Sequence, residues 1–353
     1  LNSKQEEILE TLSQKSLGGP FIFAPDEYKK GNATREPADL VWACNNCIIL
    51  FFMKSKVDET YKENNVIKGR KDKLITENFK QAKGWLNEWK EGRNLIGKNK
   101  FRKFNINYTE YKHIIVLGII DYGNEEGFYH FNYEKDLGVK LCATLSQKTF
   151  EFLVSIDVTA VDLILLILSL RERTQADNSV QLLSIGLDYY TNAHKYAYSS
   201  AQNLLPTVLP EQDLLNSINK IFRAFRSALL LKINSEDNVA NNCASIFNDI
   251  PLKDYYQLVI ILSQRVKFHA EDPRRMIVYL QELEKYIFCI GVADIRNFHL
   301  MGPKQLEIEK KLMESKLTKT LVGIGFDTLY STFILSIKPR IEKSHLETIL
   351  DSI

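Results

Sequence analysis

A chain of 353 residues, 45% of them hydrophobic and 25% charged, has the balance of an ordinary globular protein of about two domains. Five cysteines, an odd number scattered along the chain, exclude a small disulfide scaffold and suit a reducing cytoplasm. The net charge of +2 hides an uneven distribution: from Lys54 to Lys103, fifteen Lys or Arg stand against seven Asp or Glu, a local +8 that leaves −6 for the remainder. Such a segment attracts a phosphate backbone, or is simply a solvated loop.

The polar N-terminus leads straight into a helical pattern at 3–17, with Ile8, Leu9 and Leu12 on one face, Ser3 as cap and Gly18-Gly19 as stop, so no secretory signal is expected. Glu6, Glu7 and Glu10 border that face. Residues 21–23 form a short strand-like run closed by Pro25, and 26–34 are turn-rich. Glu36 precedes Pro37, which forces it out of the helical region into extended chain.

Two apolar runs, 40–43 and 48–53, flank Asn45-Asn46, and Asn tolerates the positive φ of a tight turn. The predicted hairpin pairs Cys44 with Cys47, Trp42 with Ile49 and Asp39 with Phe52. Period two then sets Asp39, Phe52 and Lys54 on one face, with direct cross-strand neighbours roughly 5 Å apart. Cys44 and Cys47 have the spacing of half a zinc site or a redox pair, but no second Cys or His pair lies near in sequence.

Residues 77–91 predict a helix capped by Thr76, with Phe79, Ala82, Leu86 and Trp89 in one stripe, Trp85 beside it, and Lys80, Gln81 and Lys83 off it. The β-branched run 113–120 reads as an inner strand, and with 128–133 and 139–143 it completes a sheet of four or five strands. Ser146 and then Asp157 or Thr159 start two further helices. The apolar run 163–170 falls far short of the roughly 20 residues that span a bilayer, so no membrane segment is expected. Beyond about 175 helices are expected at 180–200, 212–232, 239–247, 255–269, 274–290, 304–317 and 341–353, with an extended piece at 320–337. The six histidines show no metal-ligand spacing.

The hairpin bearing Asp39 and Lys54 resembles the core of the PD-(D/E)xK, or restriction-endonuclease-like, nuclease superfamily. Asp39 matches the first acid, Lys54 the lysine and Met53 the intervening residue, while Phe52 stands where the family has its second acid. The helix around 78–86 resembles the one after the acid-x-Lys strand, which carries Gln81 over as a site residue. What the resemblance implies is a central mixed sheet flanked by helices at 1–175; the helical patterns beyond it predict a mainly α-helical domain at 176–353, which resembles no family. It also implies metal-dependent hydrolysis of DNA, in restriction or defence. Mg²⁺ or Mn²⁺ would be held by Asp39, the Met53 carbonyl and, as substitute ligand, Glu36 or one of Glu6, Glu7 and Glu10, with Lys54 activating water. Lys56, Arg70, Lys71, Lys80 and Lys83 are the expected phosphate contacts. The alternative is an inactive nuclease fold that binds nucleic acid or a partner protein, with the helical C-terminal domain available for self-association.

Overall fold

In a computed structural model of the chain the described residues are 18–55, 64–121, 128–130, 138–155, 159–176, 191–193, 195–196, 198–199, 238–251, 253–258, 260, 277–314, 318–327, 333–338 and 343–353. They belong to two compact units, Leu1–Tyr189 with Leu346–Ile353, and Tyr190–His345. The predicted helix at 3–17 and the one at 212–232 lie outside the described residues.

The first unit begins with β1 (Ile22–Pro25), a short ribbon of β2 (Tyr28–Lys30) and β3 (Ala33–Arg35), and the hairpin β4 (Leu40–Cys44) and β5 (Cys47–Ser55). Asn45 and Asn46 sit at φ 49° and 58°, the left-handed pair of a two-residue turn whose twist matches that of its strands. The register pairs Cys44 with Cys47, Trp42 with Ile49 and Leu40 with Phe51, as the turn residues predict. Then come α1 (Asn64–Lys90), the hairpin β6 (Leu95–Lys98) and β7 (Lys103–Ile106), β8 (His113–Asp121), β9 (Phe128–His130) and β10 (Leu141–Ser146). Two helices follow, α2 (Gln147–Ser155) and α3 (Ala160–Ala176).

The sheet holds eight strands, more than the four or five expected, in the order β7-β6-β1-β4-β5-β8-β10-β9. It is mixed: β5, β8 and β10 run parallel and the other neighbours antiparallel. Because helices cover the parallel centre, every residue from His113 to Ile120 is buried, and β8 reads as an unbroken apolar run. Gly118 lets two polar side chains close over the strand, since a Cβ there would lie 2.7 Å from Thr144 Oγ1 and 3.2 Å from Asn78 Nδ2.

Helix α1 buries Phe79, Ala82, Trp85, Leu86 and Trp89 against Val41, Leu50 and Phe52. It starts well before Thr76, at Asn64, because Leu74 and Ile75 extend the buried stripe backwards and that packing outweighs a local capping signal. Ser146 Oγ accepts from Thr149 N (3.2 Å) and Thr159 Oγ1 from Asp162 N (3.2 Å), so both residues cap the helices they were expected to start.

The second unit holds α4 (Asn238–Asn248), β11 (Ile277–Glu282), β12 (Tyr286–Ala293), α5 (Phe298–Glu314), β13 (Thr320–Asp327) and β14 (Phe333–Lys338). These strands form a four-stranded sheet in chain order, β12 and β13 being parallel and α5 crossing between them. The expectation of a mainly helical C-terminal domain is therefore wrong. The error lies at 274–290, read as one helix and found to be most of the β11–β12 hairpin. A short apolar run cannot be assigned to strand or buried helix from its periodicity alone, and Leu280–Lys285 are good helix formers. Within this unit the buried Asp249 accepts from Tyr286 Oη at 2.5 Å and from His345 N at 2.6 Å.

The last helix, α6 (His345–Ser352), belongs from residue 346 with the first unit. Its Glu347 accepts from Asn46 Nδ2 (2.9 Å) and its Asp351 from Lys112 Nζ (2.6 Å). Asp351 also lies 3.2 Å from His113 Nε2, beside the tip of the β4–β5 hairpin.

Candidate functional site

Asp39 is the residue just before β4, and its backbone N donates to Phe51 O at 2.9 Å, continuing the ladder. Its carboxylate turns back onto the partner strand, where Oδ2 accepts from Met53 N at 2.6 Å. Burial raises the Asp39 pKa, opposed by the Met53 hydrogen bond and the nearby Lys54 charge. An acid held this way fixes the end of the hairpin.

Phe52 is fully buried at 0% exposure within the α1 cluster. Its carbonyl accepts from Asn78 Nδ2 at 3.0 Å, which ties the strand to α1. Two residues on, Lys54 has left the core and is half-buried. It opens into a cleft of about 680 Å³ between the β2–β3 ribbon, the end of β5 and α1.

This cleft gathers several of the residues singled out in the sequence. Glu36, Lys54, Lys80 and Gln81 all line it. Asp39 does not, and neither do Met53 and Lys83, the latter exposed elsewhere on α1. Lys56 lies outside the described residues, as do the side chains of Arg70 and Lys71.

Three groups were missed. Glu77 lines the cleft from the same helix as Gln81. Its signal was in the spacing, since residues at i, i+3, i+4 and i+7 share a helix face and Glu77, Lys80, Gln81 and Gly84 do so. Lys30 and Arg35 add cations and Glu27 an acid from the β2–β3 ribbon, which no local pattern places beside α1. Tyr28 and Trp85 supply an aromatic wall, 5.2 Å between centroids, with the Arg93 guanidinium 4.7 Å over the Tyr28 ring. Lys30 is tied to Glu88 at 2.6 Å, which lowers the Glu88 pKa through that hydrogen bond.

Chemically this is a polar cleft in which Lys54, Lys80 and Arg35 can meet an anion while Gln81 and Thr34 offer hydrogen bonds. Among the described residues no three His, Cys, Asp or Glu are grouped to hold a metal ion, and the Phe52 side chain offers no oxygen. Of the expected donors Asp39, Glu36 and Met53 for Mg²⁺ or Mn²⁺, Glu36 alone lines the cleft. Cys44 and Cys47 are both buried and form no disulfide, and burial holds the Cys47 thiol well above its ordinary pKa. None of the described helices is long and apolar enough to cross a membrane. Compared with protein-family models, with curated proteins and with solved structures, the chain matches none.

Proposed function

We propose that this chain is a nucleic-acid-binding protein built on a restriction-endonuclease-like hairpin, whose Lys54 cleft holds backbone phosphates without cleaving them. The observation that carries the reading is the contrast of neighbours on one strand face. Phe52, at the place of the second acid, is sealed in the core at 0% exposure, while Lys54 reaches the cleft. A core phenyl ring cannot be exchanged for a working ligand without dismantling the packing around it.

In this reading Lys54, Lys80 and Arg35 each neutralise a phosphate, and Gln81 and Thr34 orient the strand by hydrogen bonds. Three such contacts give a slope of log affinity against log salt of about −2 to −3. DNA is the expected partner, by the resemblance, in a setting of defence against foreign DNA. Five cysteines, all buried and none in a disulfide, suit a reducing compartment such as the cytoplasm. Self-association through a helical C-terminal domain loses its basis, because that domain is built on a sheet.

One observation favours a second reading, metal-dependent hydrolysis: Glu36 and Glu77 line the same cleft as Lys54 and Gln81. A single pair of assays separates the two. Fluorescence anisotropy with labelled DNA at several salt concentrations should show binding that Lys54→Gln with Lys80→Gln weakens. Incubation of plasmid and single-stranded DNA with Mg²⁺ or Mn²⁺ should leave both intact. Cleavage lost in Lys54→Ala would overturn the binding reading in favour of the nuclease.

A further inference from the structure

The β6–β7 hairpin carries a concentration of positive charge. From Lys90 to Lys103 there are six Lys or Arg and one acid, Glu91. Four of the six make contacts within the protein, Lys100 among them with its ammonium 4.9 Å from the Phe101 ring centroid. Arg93 bonds Glu88 at 3.2 Å, Lys90 stands 5.7 Å from the Tyr108 ring, and Arg102 donates to Pro20 O at 2.9 Å with its guanidinium over Phe21 and Phe104.

Lys98, Lys100 and Lys103 are all exposed. Lys98 and Lys103 are direct cross-strand partners, so both project from one face as like charges with their Cβ atoms roughly 5 Å apart. That pairing is destabilising by itself, and a polyanion lying across the face would relieve it.

The tip that joins them is held rigid. Asn99 Nδ2 donates to Ile22 O at 2.8 Å and Gly19 O at 3.1 Å, while its Oδ1 accepts from Phe101 N at 2.8 Å and Arg102 N at 2.9 Å. One side chain therefore pins the turn to the preceding strand and presents Lys98, Lys100 and Lys103 in a fixed arrangement. Fixing charges before binding removes the ordering cost at the moment of binding.

The hairpin also adjoins the cleft. Lys98 pairs with Ala24 and Gly97 with Pro25, and Asp26 N donates to Ile96 O at 2.7 Å, so β6 runs alongside the chain that leads to Glu27 and Tyr28 in the cleft wall. Arg93, at the start of this segment, lies over the Tyr28 ring. From Leu95 to Lys98 the strand advances roughly 10 Å, about three phosphate spacings along one DNA strand.

We propose that the β6–β7 hairpin is a second phosphate-contacting surface, reached by the same nucleic-acid strand that the Lys54 cleft holds. This rests on the cleft reading and extends it: the ligand is a polynucleotide several residues long, not a mononucleotide.

The test is anisotropy of a short fluorescein-labelled oligonucleotide over a salt series, with the full chain. The variant Lys98→Gln, Lys100→Gln, Lys103→Gln should lose roughly tenfold or more in affinity, and its salt slope should flatten by about 2 to 3. Its Tm should not fall, because a like-charge pair has gone. Asn99→Ala keeps every charge, so its slope should match wild type while its affinity drops a few-fold. Wild-type affinity and slope in the triple variant, with Lys54→Gln and Lys80→Gln weakened, would overturn this inference and leave the cleft reading standing. A wild-type chain that binds no oligonucleotide would overturn both.

Discussion

The two hairpins β4–β5 and β11–β12 share a plan: each is antiparallel, and each sends its second strand parallel to a later one across a helix. They differ in what makes the turn. In the first, Asn45 and Asn46 adopt positive φ and specify a two-residue turn from their own chemistry. In the second, Leu283 N bonds Tyr286 O at 2.8 Å across Glu284 and Lys285, neither of which has a positive φ. Both turns have tertiary contacts, Asn46 with Glu347 and His113 in the first, but the second has no positive-φ pair to specify it and relies on them. Lys319 Nζ donates to Leu283 O at 2.8 Å, and Thr320 N donates to Lys285 O at 3.1 Å.

The ends away from the turns differ too. The first hairpin finishes in Asp39 and Lys54, an acid that locks the strands together and a cation that leaves the core. Every residue of β12 is buried up to Ala293, and the strand serves as scaffold. A hairpin specified by its own turn can carry charge at its open end, because register there does not depend on the pattern of burial alone.

The largest expected effect shows what the two hairpins have in common. Phe52→Ala and Phe288→Ala each remove a ring at 0% exposure, and each should cost about 3–5 kcal/mol, read as a lower denaturant midpoint. Equal losses would show that both strands are anchored by the core whatever makes their turns.

A smaller effect tests the open end. Asp39→Ala should cost about 1–3 kcal/mol, because Met53 N loses its acceptor inside the structure. Asp39→Asn keeps an acceptor and removes the charge. With the Asp39 pKa raised in the fold, its favourable contribution is present below the ordinary carboxylate pKa of about 3.9 and is lost as pH rises through the folded value. Asp39→Asn should therefore be at least as stable as wild type at neutral pH, the difference vanishing on acidification. A neutral-pH Tm for Asp39→Asn as low as that of Asp39→Ala would show that the ionised form is needed.

The smallest effect separates the turns. Asn46→Ala must hold a φ of 58° without the tolerance of Asn and should cost roughly 1–2 kcal/mol beyond Asn46→Gly, since both variants lose the bond to Glu347 and only the alanine is strained. In the second hairpin Glu284→Ala should stay within about 0.5 kcal/mol, while Lys319→Ala, at the tertiary contact, should cost about 1 kcal/mol. Thermal melts of the four variants check this, and a Glu284→Ala loss as large as that of Asn46→Ala would contradict the distinction.

The amino-acid sequence by itself determined the parts whose cause is local. Asn45-Asn46 set the first hairpin and its register, the spacing of Phe79, Ala82, Leu86 and Trp89 set the buried face of α1, and the β-branched run at 113–120 set the central strand. Tertiary structure decided the rest. It turned the Asp39 carboxylate onto Met53 N, and it brought Arg35 and Lys30 of the ribbon opposite Lys80 and Gln81 of α1. It also made strands of 277–282 and 286–293, whose turn is stabilised by residues more than thirty positions away in the chain. The physical reason is range: a turn residue's φ preference or a helix face acts within a few residues, whereas a cleft and an externally held turn exist only once distant segments pack.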